Sequence, residues 1–251
     1  MSIIVSIHSY RGGTGKSNTT ANLATLLAQR GLRVGVVDTD IQSPGIHAIF
    51  GLDEKEFKHS LNDYLWGLCS ISDASYDVTD RLKEKVDGKI FLIPSSLNPG
   101  EIARVLREGY DVGLLDAGFQ ELLQVLELDA LLIDTHPGLN EETLLSIAIS
   151  DKVVLILRPD TQDYLGTSVT VEVARKLDVH GLMMVVNKVP SVFDFAQIKK
   201  TVEETYNTPV AALMPHSDDM MILGSSSLFV FEFPDSEVTK AMNQLADAVL
   251  S

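Results

Sequence analysis

Arg11-Gly12-Gly13-Thr14-Gly15-Lys16-Ser17, set between the apolar run Ile3-Ile4-Val5-Ser6-Ile7 and the helix-patterned stretch Asn18 to Arg30, reads as a strand, a glycine-rich loop and a helix. That layout predicts a phosphate cradle. Glycines let the backbone turn tightly and aim its N–H groups inward, a lysine at position 16 supplies a mobile cation for the β- and γ-phosphates, and a Ser17 hydroxyl suits Mg²⁺. The alternative, a plain Gly-rich turn, does not explain why lysine and serine follow the last glycine at the start of a helical stretch.

Outward from the loop, short apolar runs alternate with longer helical ones. Val34 to Val37, Ile90 to Ile93, Leu131 to Ile133, Val153 to Leu157, Met183 to Val186 and Val210 to Leu213 read as buried strands. Helical patterns fill Glu101 to Glu108, Gln120 to Leu126, Glu141 to Ile149, Gly166 to Lys176, Phe195 to Tyr206 and Ser236 to Leu250. The alternation predicts an α/β fold, a mainly parallel sheet with helices on both faces and ligands at the carboxyl ends of the strands. Cys69 to Asp80, rich in Ser and Asp, reads as an exposed loop.

The loop departs from the common G-x-x-x-x-G-K-[ST] spacing, because Tyr10 stands where the first glycine belongs. It resembles the deviant Walker A box of the ParA/MinD family of P-loop ATPases. In that family a lysine before the glycine pair reaches across a dimer to the partner's nucleotide, whereas this chain has Arg11 there. The same departure marks the McdA branch, the carboxysome-positioning relatives of ParA, and the chain resembles that branch most. The resemblance implies one domain over residues 1–251, with ATP and Mg²⁺ as cofactors. Gly12, Gly13, Thr14, Gly15, Lys16, Ser17 and Asn18 are the expected nucleotide contacts.

Asp38-Thr39-Asp40 follows the strand Val34-Gly35-Val36-Val37, so both carboxylates reach the triphosphate end of the cradle. By resemblance one positions the attacking water and the other helps to organise Mg²⁺, and the pair is kept together here. Leu131-Leu132-Ile133-Asp134-Thr135-His136-Pro137-Gly138 looks like the Walker B and switch II segment, which implies that Asp134 holds Mg²⁺ with Ser17. His136 reads as a loop residue rather than a base. Asn187 matches the asparagine that pairs with adenine in relatives, and Pro215 falls where the family stacks a loop on the base; strand-end turn chemistry explains either equally well. Two residues are candidates for the cross-dimer cation. Arg11 has a guanidinium suited to phosphate oxygens, and Lys152 starts the strand after the helix that follows switch II.

Composition bounds the rest. The 251 residues are 45% hydrophobic and 22% charged, enough for a large single core, and 35 acidic against 20 basic side chains leave a formal charge of −15. One cysteine cannot form an internal disulfide, a Cys-rich zinc site or a cluster site. No apolar stretch approaches ~18 residues and no basic leader opens the chain, so a cytoplasmic protein is expected. The resemblance implies an ATPase that dimerises on ATP binding, holds non-specific nucleoid DNA and positions a large cargo, carboxysomes by branch, with a cargo-adaptor protein stimulating hydrolysis. Arg175, Lys176, Lys199, Lys200 and Lys240 are candidate DNA contacts, although Lys199 and Lys200 precede Glu203 and Glu204 by one helical turn. The last stretch, Lys240 to Ser251, has almost no basic residues, which disfavours membrane attachment. The other functions the sequence admits are a MinD-like membrane-associated division regulator and a metabolic ATP-dependent ligase of related fold.

Overall fold

A computed structural model describes residues 2–251. Among these, eight strands form one sheet: β1 (Ile3–His8), β2 (Arg33–Asp38), β3 (Tyr76–Asp77), β4 (Lys89–Ile93), β5 (Ala130–Asp134), β6 (Lys152–Leu157), β7 (Gly181–Val189) and β8 (Val210–Pro215). Their order is β3-β4-β2-β5-β1-β6-β7-β8, and the pairings from β4 through β8 are parallel. Parallel neighbours must be joined by crossovers, which is why helices cover both faces and the strands read as continuous apolar runs.

Side-chain alternation sorts the core into two layers. On one face Val5, Ile7, Val36, Leu132, Ile156 and Val185 pack against Leu23 and Leu27 of the helix Lys16–Gln29 and against Met242, Leu245 and Val249 of the helix Glu237–Leu250. On the other, Ile4, Ile93, Leu131 and Ile133 meet Phe119 and Leu122 of the helix Gly113–Val125. Next to them Val153, Leu155 and Val186 meet Val171 of the helix Thr161–Lys176 and Val202 of the helix Phe195–Tyr206. Strand residues two apart share a face, so a single parallel sheet feeds both layers.

The predicted architecture holds, with three differences in detail. The stretch Cys69 to Asp80 contains the edge strand β3, which pairs antiparallel with β4 through Tyr76 and Asp77, flanked by the short 3-10 helices Ser72–Ala74 and Thr79–Arg81. Two residues on a sheet edge need no apolar run, so the sequence pattern passes over them. Several helices begin earlier than their apolar periodicity, because polar caps start them: Asn98 before Pro99 and Asp160 before Thr161 accept N–H groups of the first turn. Short helices at Ile46–Ile49, Leu61–Leu65, Asp218–Leu223 and Phe229–Glu232 are below the length at which periodicity is readable.

Register brings the chemistry together. At the carboxyl edge Asp38 of β2 stands opposite Asp134 of β5, and Asp134 stands opposite Ile7 of β1, one residue before the strand gives way to the glycine loop.

Candidate nucleotide site

The helix Lys16–Gln29 starts from Gly15 in the left-handed region (φ 100°), and among the described residues no side chain caps its first turn. Uncapped first-turn N–H groups at a helix N-terminus carry partial positive charge toward the loop, the arrangement that receives a phosphate. A Cβ on Gly15 would lie 2.5 Å from Asn187 Nδ2, so glycine is required by space as well as by φ. Lys16 is buried, its ammonium 3.2 Å from Ser9 Oγ. Burial lowers its pKa, while the charges of Asp134, Asp40 and Asp38 oppose that.

The three carboxylates are not equivalent. Asp38 is withdrawn: Oδ1 accepts the N–H of Asp40 and Oδ2 that of Gly45, each at 3.1 Å. Its pKa lies well above the carboxylate range because it is buried, and Asp134 and Asp40 add repulsion. Asp40 instead lines the hollow with Gly12, Lys16, Ser17, His136 and Pro137. Burial raises its pKa, against the charges of His136 and Lys16. Asp134, 1% exposed, has its pKa raised to about 6 by burial, with hydrogen bonds from Ser17 and Thr20 and the Lys16 charge pulling the other way.

His136 is part of this wall rather than a bystander. Nδ1 is 2.6 Å from the Pro137 carbonyl oxygen, and Nε2 faces Asp40 Oδ1 at 3.9 Å. Its variable motif position carried no signal of that contact.

The phosphate hollow, ≈ 540 Å³, continues into a second of ≈ 390 Å³ lined by Asn18, Asn187, Lys188, Pro215, His216, Met220 and Ser225, and both share Gly13, Gly15, Asn18 and Ser225. A hollow lined by Lys16, Ser17 and Asp40 and joined to a partly apolar one across a glycine loop has the form of a nucleotide site. Pro215 ends β8 in the second hollow. Asn18 Nδ2 donates to Ser225 Oγ at 2.9 Å. Asn187 lies there too, with its amide already engaged: Nδ2 donates to the Thr14 carbonyl at 2.8 Å and Oδ1 accepts the Lys188 N–H at 2.8 Å. Thr14 is buried at 1% exposure.

The structure separates the two cation candidates. Lys152 lies away from the glycine loop: it pairs with Val5, three residues before the end of β1, and its Nζ donates to the Ala248 carbonyl at 3.1 Å, near the C-terminus of the helix Glu237–Leu250. A lysine there satisfies a helix-end carbonyl, on the face of the sheet that helix covers. Arg11 is at the loop, held by Asp160 at 3.7 Å and Asp163 at 3.6 Å. The cationic residue missed by sequence reasoning is Lys188, whose Nζ donates to the Gly13 carbonyl at 2.9 Å. Its only signal in the chain is its place directly after Asn187.

The donor set fits a cation shared with a bound phosphate. Among the described residues no three His, Cys, Asp or Glu side chains converge to hold a metal alone. Mg²⁺ is commonly held by one or two carboxylates completed by phosphate and water, and Ser17 beside Asp134 offers that partial set.

Comparisons with known proteins agree with this geometry. The family model of the CobQ/CobB/MinD/ParA nucleotide binding domain matches residues 5–228. An uncharacterized ATP-binding protein of Methanocaldococcus jannaschii is 27% identical over 249 residues, 98% of this chain and 87% of that protein. The septum site-determining protein MinD of Pyrococcus horikoshii, complexed with Mg-ADP, superposes with a TM-score of 0.80 at 22% identity, covering 99% of this chain and 96% of that one. A Cyanothece McdA variant complexed with ATP does so at 0.77 and 18%, covering 99% and 96%. With the family model spanning the sheet from β1 past β8 and the glycine loop, carboxylates and base hollow in one groove, the chain belongs to the CobQ/CobB/MinD/ParA nucleotide-binding family.

Proposed function

We propose that the chain is a Mg²⁺-dependent ATPase that dimerises on binding ATP and works as a positional switch. The observation that carries this reading is the convergence of Lys16, Ser17 and Asp40 on one hollow in front of an uncapped helix N-terminus, with the buried Asp134 hydrogen-bonded by Ser17. Lys16 sets its charge against the β- and γ-phosphates, and Asp40, braced by His136, orients water for in-line attack. Ser17 and Asp134 would hold Mg²⁺, which neutralises phosphate charge when bound. Asn187, Pro215 and Asn18 receive the base, adenine by family resemblance. Arg11 supplies the cation at the dimer interface once Asp160 and Asp163 release it.

The surface acted on is non-specific nucleoid DNA, and the cargo a large body such as a carboxysome, delivered by an adaptor that stimulates hydrolysis. Support comes from Arg11 before the glycine pair, the departure by which the chain resembles the McdA branch, and from the helix Glu237–Leu250, which buries Val238, Met242, Leu245 and Val249. No helix among the described residues is long and apolar enough to cross a membrane. Many of the candidate DNA contacts are engaged within the chain. Lys199 and Lys200 reach Glu203 and Glu204 at 4.0 and 3.8 Å, Lys240 pairs with Glu237 at 2.7 Å, and Arg175 binds the carbonyls of Tyr206 and Asn207. DNA retention therefore requires the doubled surface of a dimer.

The test is ATP binding by calorimetry with Mg²⁺, followed by retention on random-sequence DNA at two salt concentrations. Lys16→Ala is expected to abolish ATP binding while the fold persists, and wild-type affinity in that variant overturns the cradle. DNA retention that needs ATP and falls steeply with salt supports the positional reading. ATP-dependent liposome binding without DNA retention favours a membrane regulator instead.

A further inference from the structure

We propose that Lys188 is a positioning residue that sets the orientation of the phosphate loop from the base side of the groove; the inference rests on the nucleotide-site reading above. Two features of the backbone and a pair of side-chain hydrogen bonds converge on it. Lys188 adopts φ +57°, a left-handed conformation that non-glycine residues seldom take. The pairing of β7 with β8 shifts register between Val186 and Val189, so the strand bulges over Asn187 and Lys188. Both bulge side chains then reach back to consecutive carbonyls of the loop, Asn187 Nδ2 to Thr14 and Lys188 Nζ to Gly13.

The consequence follows from peptide geometry. In a trans peptide the carbonyl of one residue and the N–H of the next point in opposite directions. Drawing the Gly13 and Thr14 carbonyls toward β7 therefore turns the N–H groups of Thr14 and Gly15 away from it, toward the hollow shared with Lys16 and Ser17. Gly13, at φ +73°, is the joint that permits this turn, and nothing lies within 4 Å of the position a Cβ would take there. Without the clamp the two peptides are free to flip, and the loop must be ordered at the moment of binding. The ammonium of this bulged lysine removes that ordering cost beforehand. The same residue lines the base hollow, so base docking and loop orientation meet in one side chain.

Lys188→Met keeps the aliphatic stem against the base hollow and removes only the ammonium; Lys188→Arg restores a donor. Affinities for ATP, ADP and inorganic tripolyphosphate are measured with Mg²⁺, together with hydrogen exchange of the peptide spanning residues 9–18 and a thermal melt. The expected result is about a tenfold loss in Lys188→Met for all three ligands, the scale of one charge-assisted hydrogen bond. Exchange in the 9–18 peptide rises, the melt is unchanged because Lys188 is exposed, and Lys188→Arg recovers most of the affinity. Unchanged tripolyphosphate affinity in Lys188→Met overturns the proposal, since a clamp on the loop must be felt by a ligand with no base. A loss confined to ATP overturns it as well, because the ammonium would then act on the γ-phosphate directly. Failure of the wild-type protein to bind any of the three ligands defeats the nucleotide-site reading itself, a distinct outcome.

Discussion

Asp38 accepts the N–H groups of Asp40 and Gly45, whereas Asp40 turns its carboxylate to the hollow beside His136. Alanine at position 40 is expected to keep ATP affinity and slow hydrolysis by about a hundredfold, the scale of a lost acid–base or water-positioning group. Alanine at position 38 is expected to speed amide exchange over residues 40–45, because both backbone donors lose their acceptor. Single-turnover hydrolysis and hydrogen exchange on the two variants decide it; protected 40–45 amides in Asp38→Ala contradict the assignment. Asp134 gives a pH-dependent prediction. Burial holds its folded pKa at about 6 against an ordinary value of 3.8, so between those values the folded chain keeps a proton that the unfolded chain has lost. Stability of the ligand-free protein therefore falls as pH rises through that window, and the full penalty persists above it. Asp134→Asn removes the penalty: the melting temperature at pH 7.5 should rise by about 5 °C, for on the order of 2 kcal/mol, and match wild type near pH 4. An Asn variant that melts lower than wild type at pH 7.5 refutes this account.

The helix Thr161–Lys176 supports the start of the loop through Arg11 and Tyr10. Asp163 is 2% exposed and binds Arg158 through Nε at 2.9 Å and Nη2 at 3.2 Å, so its second charge partner, Arg11, is drawn to the first turn of that helix. Burial raises the Asp163 pKa, but the hydrogen bonds from Arg158 and the charges of both arginines outweigh it, and the net shift is downward. One turn on, Gly166 has no Cβ because the Tyr10 ring occupies the place: a Cβ would fall 2.0 Å from its Cδ1. The unusual tyrosine before Arg11 thus has a seat made for it. Gly166→Ala is expected to cost about 1–3 kcal/mol by displacing that ring. Combining it with Tyr10→Gly should cost clearly less than the sum of the two changes, since the second removes the clash. Additive losses in a denaturant series rule out the seat.

Across the whole molecule, Arg11 is where the monomer and the proposed dimer compete. Its side chain is 39% exposed, and the guanidinium spans two aspartates of its own chain at distances longer than a close ion pair, a weak restraint of at most about 1 kcal/mol. Two triphosphates placed face to face need cations between them more than the monomer needs this contact. Arg11→Ala is therefore expected to leave ATP affinity within a few-fold of wild type while weakening ATP-dependent dimerisation at least tenfold, measured by sedimentation. Equal dimerisation of the variant and wild type removes Arg11 from the interface. A formal charge of −15 per chain opposes DNA overall, so retention must come from local Lys and Arg contacts to phosphate, whose counterion release makes it fall steeply as salt rises.

Local grammar in the sequence determined the sheet-and-helix alternation, the cradle from Gly12 to Ser17 and the strand-end carboxylates, because each depends on residues a few positions apart. A glycine, lysine and serine in that order, or an aspartate closing an apolar run, commits the backbone wherever the rest of the chain lies. Which side chains from distant strands meet was decided only by the tertiary structure. Lys152 and Lys188 are both strand-end lysines in the sequence; parallel register sends one to a helix carbonyl at Ala248 and a bulge sends the other to the phosphate loop. Asp38 and Asp40 differ for the same kind of reason, since backbone N–H groups of Asp40 and Gly45 engage both oxygens of Asp38, whereas Asp40 accepts one, from Ser43 at 3.2 Å, and lines the hollow. Spacing along a chain sets what a residue is beside, and the packing of loops at a sheet's carboxyl edge sets what it faces.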